Sequence, residues 1–159
     1  PIGDQDTASS LHDKLARLGA ELIVEALAGL ERGELRPIPQ PAEGATYAAK
    51  LGKDEARLDW RRGAVELERT IRAFDPFPGA VASIAGAQIK LWRARAEQAS
   101  GGAPGEVLAT GSDGILVVCG EGALRLLELQ KAGGKRLSAA DFLRGFALSP
   151  GQRFDPAPD

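Results

Sequence analysis

The chain has 159 residues, 43% hydrophobic and 26% charged, an ordinary composition for one soluble globular domain or two small units and enough chain to bury roughly 70% of its unfolded surface. A single Cys and a single His exclude an internal disulfide and a Cys/His zinc site, and the absence of any ~18-residue apolar run or signal pattern points to a cytoplasmic protein with no membrane partner. The net charge of −2 is split unevenly: residues 1–60 hold 7 Lys+Arg against 11 Asp+Glu and residues 61–159 hold 13 against 11, so a polyanion belongs with the second part.

The opening PIGDQDT reads like a strand-to-loop passage, as in a piece cut from a longer protein. Asp6 and Thr7 then offer N-cap side chains ahead of Leu11, Leu15, Leu18, Leu22 and Leu30, which share one helical face. With Gly33 as a stop, residues 7–32 are expected to form one amphipathic helix, and its apolar stripe needs a partner from a domain not present here. Pro37, Pro39 and Pro41 make the next stretch a semi-rigid linker. Tyr47, Leu51, Leu58 and Trp60 are expected to anchor it onto its neighbours.

Residues 63–74 place Ala64, Leu67, Ile71 and Phe74 on one face of a second helix, which Asp75, Pro76, Pro78 and Gly79 end. From Ala80 the period changes to that of strands. AVASI, AQIKLWRA, GEVLAT, GILVVC and ALRLLELQ, separated by Gly-rich turns, predict five short antiparallel strands and hence a small barrel or strongly twisted sheet. In the second of these, Ile89 and Leu91 are expected to point inward and Lys90 and Trp92 outward. Ser138 with Asp141 three residues on announces a closing helix, and the Pro-rich end is expected to fray.

Few residues suggest catalysis. His12 has no paired nucleophile, and reads as a solvent-facing helix residue. Cys119 ends an apolar strand, where a thiol is inert, and the adjacent Asp54 and Glu55 read as solvated carboxylates. AGGKR lacks the pattern of a phosphate-binding P-loop, yet Lys131, Lys135 and Arg136 around Gly133 and Gly134 make a flexible basic loop. With Arg69, Arg72, Lys90, Arg93 and Arg95, these cations could serve phosphates, and Trp92 could stack on a base, or the set could be a wet strand face with Arg69 paired to Glu66.

HDKLARLGAELIVEAL, ATYAAKLGKDEARLDW, AVELERTIRAFDPFPGA and LQKAGGKRLSAADFLRG, in that order, resemble the C-terminal half of the methionyl-tRNA formyltransferase family. The first and third patterns recur in formyltransferases acting on sugar nucleotides or folate, and the AGGK segment with its closing helix favours the tRNA enzymes. The resemblance implies an α+β chain: a terminal helix of a missing Rossmann-like catalytic domain at 1–34, an interdomain linker at 35–60, and at 61–155 a five-stranded antiparallel OB-like barrel with flanking helices that binds tRNA. It implies transfer of formyl from 10-formyltetrahydrofolate, the co-substrate of the parent enzyme, to methionyl initiator tRNA. The family's catalytic Asn, His and Asp lie ahead of this segment; the chain contains no Asn, His12 does not sit in an Asn-x-His pattern, and the chain alone is expected to be inactive and to hold no cofactor or metal. Lys50 and Lys53, in the KLGKDEARLDW motif, join Lys90, Arg93, Lys131, Lys135 and Arg136 as expected tRNA contacts, and a monomer is expected. An accessory domain of a small-molecule formyltransferase and an independent oligonucleotide-binding barrel remain the alternatives.

Overall fold

The computed structural model of the chain describes residues 1–157, which divide into two compact units, Pro1–Leu51 and Gly52 onward. The first is built on helix α1, Ala8–Glu31. Thr7 caps it, its hydroxyl accepting from the Ser10 amide while the Ser10 hydroxyl accepts from the Thr7 amide. Asp6, buried beside the cap, accepts from the Ser10 hydroxyl and from Lys14 Nζ at 2.6 Å, and the ammonium holds this carboxyl far below the usual range. Gly33, at φ 72°, ends the helix. The predicted stripe is present: Leu15, Leu18, Leu22 and Leu30, with Ile23, Val24 and Leu27, are exposed. Residues 35–51 carry no regular helix or strand, and Tyr47 is 98% exposed.

The second unit begins earlier than the sequence suggests. A 3₁₀ turn at Asp54–Ala56 is followed by Ala56, Leu58 and Trp60, all buried in the core. The Gly120 amide donates to the carbonyls of Trp60 and Arg62, and a Cβ on Gly120 would lie 1.8 Å from the Arg61 carbonyl oxygen. This close approach is open only to glycine. The expected linker of 35–60 is therefore shortened: its last residues are a wall of the folded unit, because alternation buries three apolar side chains there. Leu58 and Trp60 anchor as expected; Tyr47 and Leu51 stay exposed.

Helix α2, Ala64–Ala73, buries Ala64, Leu67 and Ile71 against a six-stranded antiparallel sheet: β1 Ala80–Ile84, β2 Ala87–Glu97, β3 Val107–Gly111, β4 Gly114–Val118, β5 Ala123–Lys131 and the short β6 Leu137–Ser138. The five predicted strands are all found, β2 running on to Glu97. The order is β1-β2-β5-β4-β3 with β6 beside β5. Ile89, Leu91, Ile115, Val117, Leu124, Leu126 and Leu129 form the core with Phe142 of helix α3, Ala139–Gly145. Each such side chain contributes roughly 1.5–3 kcal/mol on burial. Ser138 caps α3 by accepting from the Asp141 amide.

The edge strands β1 and β3 are joined through the chain's end. The Phe154 amide donates to the Gly105 carbonyl, Val107 donates to the Gln152 carbonyl, and Asp155 donates to the Ser83 carbonyl of β1. Phe154 is buried, its ring 4.9 Å from that of Trp60. The chain's end, expected to fray, is held as far as Asp155: its amides and carbonyls complete sheet edges that would otherwise stand unpaired. The final two residues lie outside the described part. Among the described residues no helix is long and apolar enough to cross a membrane.

Candidate nucleic-acid interface

Strand β2 carries two sets of charged side chains with different fates. Toward its C-terminal end, Arg95 and Arg125 both grip Glu97, at 2.6 and 2.7 Å, and Arg125 also reaches Asp113 at 2.7 Å. The two guanidiniums draw the Glu97 carboxyl down to about 2. These cations are neutralised.

Toward the other end, Lys90 and Trp92 meet a loop that follows β5. The alternation of inward and outward residues breaks at a bulge between Leu91 and Arg93, and Trp92, expected to face solvent, is 6% exposed. The Arg136 guanidinium lies 3.5 Å from its ring centroid and Lys90 Nζ lies 5.3 Å away. The indole N–H donates to Gln130 Oε1 at 2.8 Å. Gln130 Nε2 donates in turn to the Gly134 carbonyl at 2.7 Å, so the indole and the basic loop are tied through one amide. Gly79, at φ 81°, packs under this cluster: a Cβ there would come within 2.9 Å of the Trp92 ring and 3.2 Å of Lys90 Nζ. Trp92 is thus a buried pedestal under Arg136, and its expected role as a base-stacking ring is corrected.

Of the seven expected contacts, Lys90 and Arg136 meet at the Trp92 ring, and Lys131 and Lys135 lie in the segment that leads from β5 to Arg136. Arg136 also donates to the Asp75 carboxylate at 2.7 Å, and Lys90 donates to the Pro78 carbonyl at 3.1 Å. Lys131, next to Gln130 on β5, sits 5.0 Å from the Phe146 ring. Lys135 is exposed, and Arg93 is exposed opposite Glu128 in the ladder. Asp75 is thus paired with Arg136, and among the described residues no carboxylate pairs with Lys90, Lys131 or Lys135. Lys53 is exposed at the start of the 3₁₀ turn, and Lys50 is exposed in the first unit.

The remaining sequence candidates are structural. Glu66 pairs with Arg62 instead of Arg69, and Arg72 pairs with Glu68. Glu55 accepts from the Gly52 amide. Burial pushes the Cys119 thiol up to about 12, so it carries no thiolate at neutral pH. His12 is exposed beside Asp13. A cleft of about 460 Å³ at the start of α2 is lined by Glu66, Glu97, Glu121 and Arg69, with Glu66 and Glu97 already paired to arginines. Gln130 and Asp75, which position the basic loop, escaped sequence reasoning; period 2 places Gln130 on an outward face, but only the register brings it to Trp92.

Comparison with known proteins adds the lineage. Residues 50–147 match the family described as formyl transferase, C-terminal domain. A methionyl-tRNA formyltransferase of Paraburkholderia phymatum is 57% identical over 158 residues, covering 98% of this chain and 48% of that protein. The chain thus spans about half the length of the curated relatives it matches. Among solved structures, a HypX variant from Aquifex aeolicus superposes with a TM-score of 0.69 at 27% identity, over 90% of this chain and 26% of that one. HypX of the same organism in complex with tetrahydrofolic acid matches with a TM-score of 0.62 at 28% identity, over 77% of this chain and 22% of that one.

Proposed function

The chain belongs to the formyl transferase C-terminal domain family, and from that premise we propose that it is the tRNA-holding C-terminal part of a methionyl-tRNA formyltransferase. The observation that carries this reading is the basic character of the second unit at this end of β2 and β5: Lys90, Lys131 and Lys135, unpaired with any carboxylate among the described residues, beside Arg136 on a loop that the Trp92–Gln130–Gly134 hydrogen bonds hold in place. Phosphate neutralisation dominates affinity for nucleic acid and does not require base contacts. Exposed cations on a fixed scaffold suit that task.

In the whole enzyme, a neutral methionyl amine attacks the formyl carbon of 10-formyltetrahydrofolate, hydrogen-bond donors stabilise the tetrahedral oxyanion, and its collapse breaks the bond to N10, which takes up the proton lost by the amine as tetrahydrofolate leaves. We assign that chemistry to a preceding catalytic domain, and assign positioning to this chain, which turns a diffusing tRNA into a held substrate. The exposed stripe of α1 is the surface suited to pack on that domain. Lys50 and Lys53 are assigned to phosphates of the acceptor end.

Titration of the chain with an initiator-tRNA transcript across a salt series tests the reading. Binding is expected to weaken linearly in log affinity against log salt, and Lys50→Ala with Lys53→Ala is expected to weaken it without lowering the melting temperature. Absent or salt-insensitive binding by folded protein would overturn the assignment and favour a small-molecule formyltransferase.

A further inference from the structure

The basic face offers cations for phosphates, but its indole is covered. A free ring stands beside it. Phe77 is 60% exposed, although Phe74, Pro78 and Gly79 around it are buried. Among the described residues, the ring and cation–π contacts involve Trp60, Phe154, Phe142, Phe146 and Trp92, and leave Phe77 uncovered.

The segment that carries it is fastened on both sides by cations of the basic face. Arg136 holds the Asp75 carboxylate at 2.7 Å, Lys90 holds the Pro78 carbonyl at 3.1 Å, and the Gly79 amide closes the turn onto the Phe74 carbonyl at 2.9 Å. Pro76 and Pro78 fix φ on either side of Phe77. Little backbone freedom is left for a ligand to remove, which lowers the cost of covering the ring. An aromatic held between cations has the chemistry of a single-strand platform, where a base stacks on the ring and neighbouring phosphates meet the charges. A paired stem buries its base faces and cannot use such a ring.

We propose that Phe77 stacks on an unpaired nucleobase of the RNA held by the basic face, an inference that rests on the tRNA reading above. The test titrates the chain, Phe77→Ala and Phe77→Trp with an initiator-tRNA transcript and with a fully paired RNA duplex, each at two salt concentrations. Phe77→Ala is expected to weaken tRNA binding on the order of tenfold. The loss is the same at both salt concentrations because no charge is removed, while duplex binding and thermal melting match the unsubstituted chain. Phe77→Trp restores the affinity. If Phe77→Ala binds the transcript as tightly as the unsubstituted chain, or loses transcript and duplex equally, stacking on an unpaired base is overturned while salt-dependent tRNA binding stands. If the unsubstituted chain fails to bind the transcript, both readings fall.

Discussion

The two ends of β2 carry the same kinds of side chain and have opposite electrostatic characters. At one end Arg95 and Arg125 are spent on Glu97 and Asp113; at the other, Arg136 pairs with Asp75 while Lys90, Lys131 and Lys135 have no carboxylate partner among the described residues. A count of Lys and Arg along the sequence treats these ends alike. What separates them is register, because strand pairing sets Arg95 against Arg125 and Lys90 against the uncharged Gln130. Partnered cations contribute to the fold, and cations left over are available to a polyanion.

The largest effect is expected from removing the pedestal on which the positive end stands. Trp92→Ala deletes a buried ring, its hydrogen bond to Gln130 and the surface under Arg136, and is expected to lower stability by about 3–5 kcal/mol, read from the denaturant midpoint. If the midpoint barely moves, the indole does not support the loop.

Glu97 governs the paired end of β2. Its pKa falls from 4.5 to about 2 through Arg125 and then Arg95. A carboxyl whose pKa is lower in the folded than in the unfolded chain stabilises the fold above the unfolded pKa, and that stability is lost as pH falls toward the folded one. Glu97→Gln is therefore expected to cost about 1–2 kcal/mol at neutral pH, after allowance for solvent screening, and progressively less as pH falls through the folded value. Melting temperatures of both proteins between pH 7 and pH 2 should converge over the lower part of that range; a constant gap would mean the arginines do not depress this carboxyl.

A smaller change is expected from Asp75→Asn, which releases Arg136 from its half-exposed ion pair. The expected cost is below about 1 kcal/mol in stability, with a gain of a few-fold in tRNA affinity at low salt. A loss of affinity would show that Asp75 matters more for aiming Arg136 than for cancelling its charge.

Much of this architecture is legible in the sequence. Thr7 and Ser138 cap the helices they were expected to cap, and the five strand cores follow their alternation between Gly turns, because both signals are local. Three features are not legible, each because a distant segment decides it. Trp92 looks outward by alternation, but a bulge and a later loop cover it. Residues 151–155 look like a polar tail, but their backbone amides and carbonyls, which leave no mark on side-chain pattern, join β3 to β1. Leu58 and Trp60 look like linker anchors until the Gly120 amide draws their backbone into the second unit. The basic residues of the site are visible by type; which of them are free is visible only once the partners Glu97, Asp75 and Gln130 are placed.

Phosphate is assigned to the Lys131–Arg136 end of the sheet and not to the Arg95–Arg125 end. The most direct measurement is the slope of log affinity for initiator tRNA against log salt for three proteins: the unsubstituted chain, Lys131→Ala with Lys135→Ala, and Arg95→Ala. The double substitution is predicted to reduce the slope by about two, one for each lost phosphate contact, and Arg95→Ala to leave it unchanged. Equal slopes for the double variant and the unsubstituted chain, or a reduction with Arg95→Ala alone, would contradict that assignment.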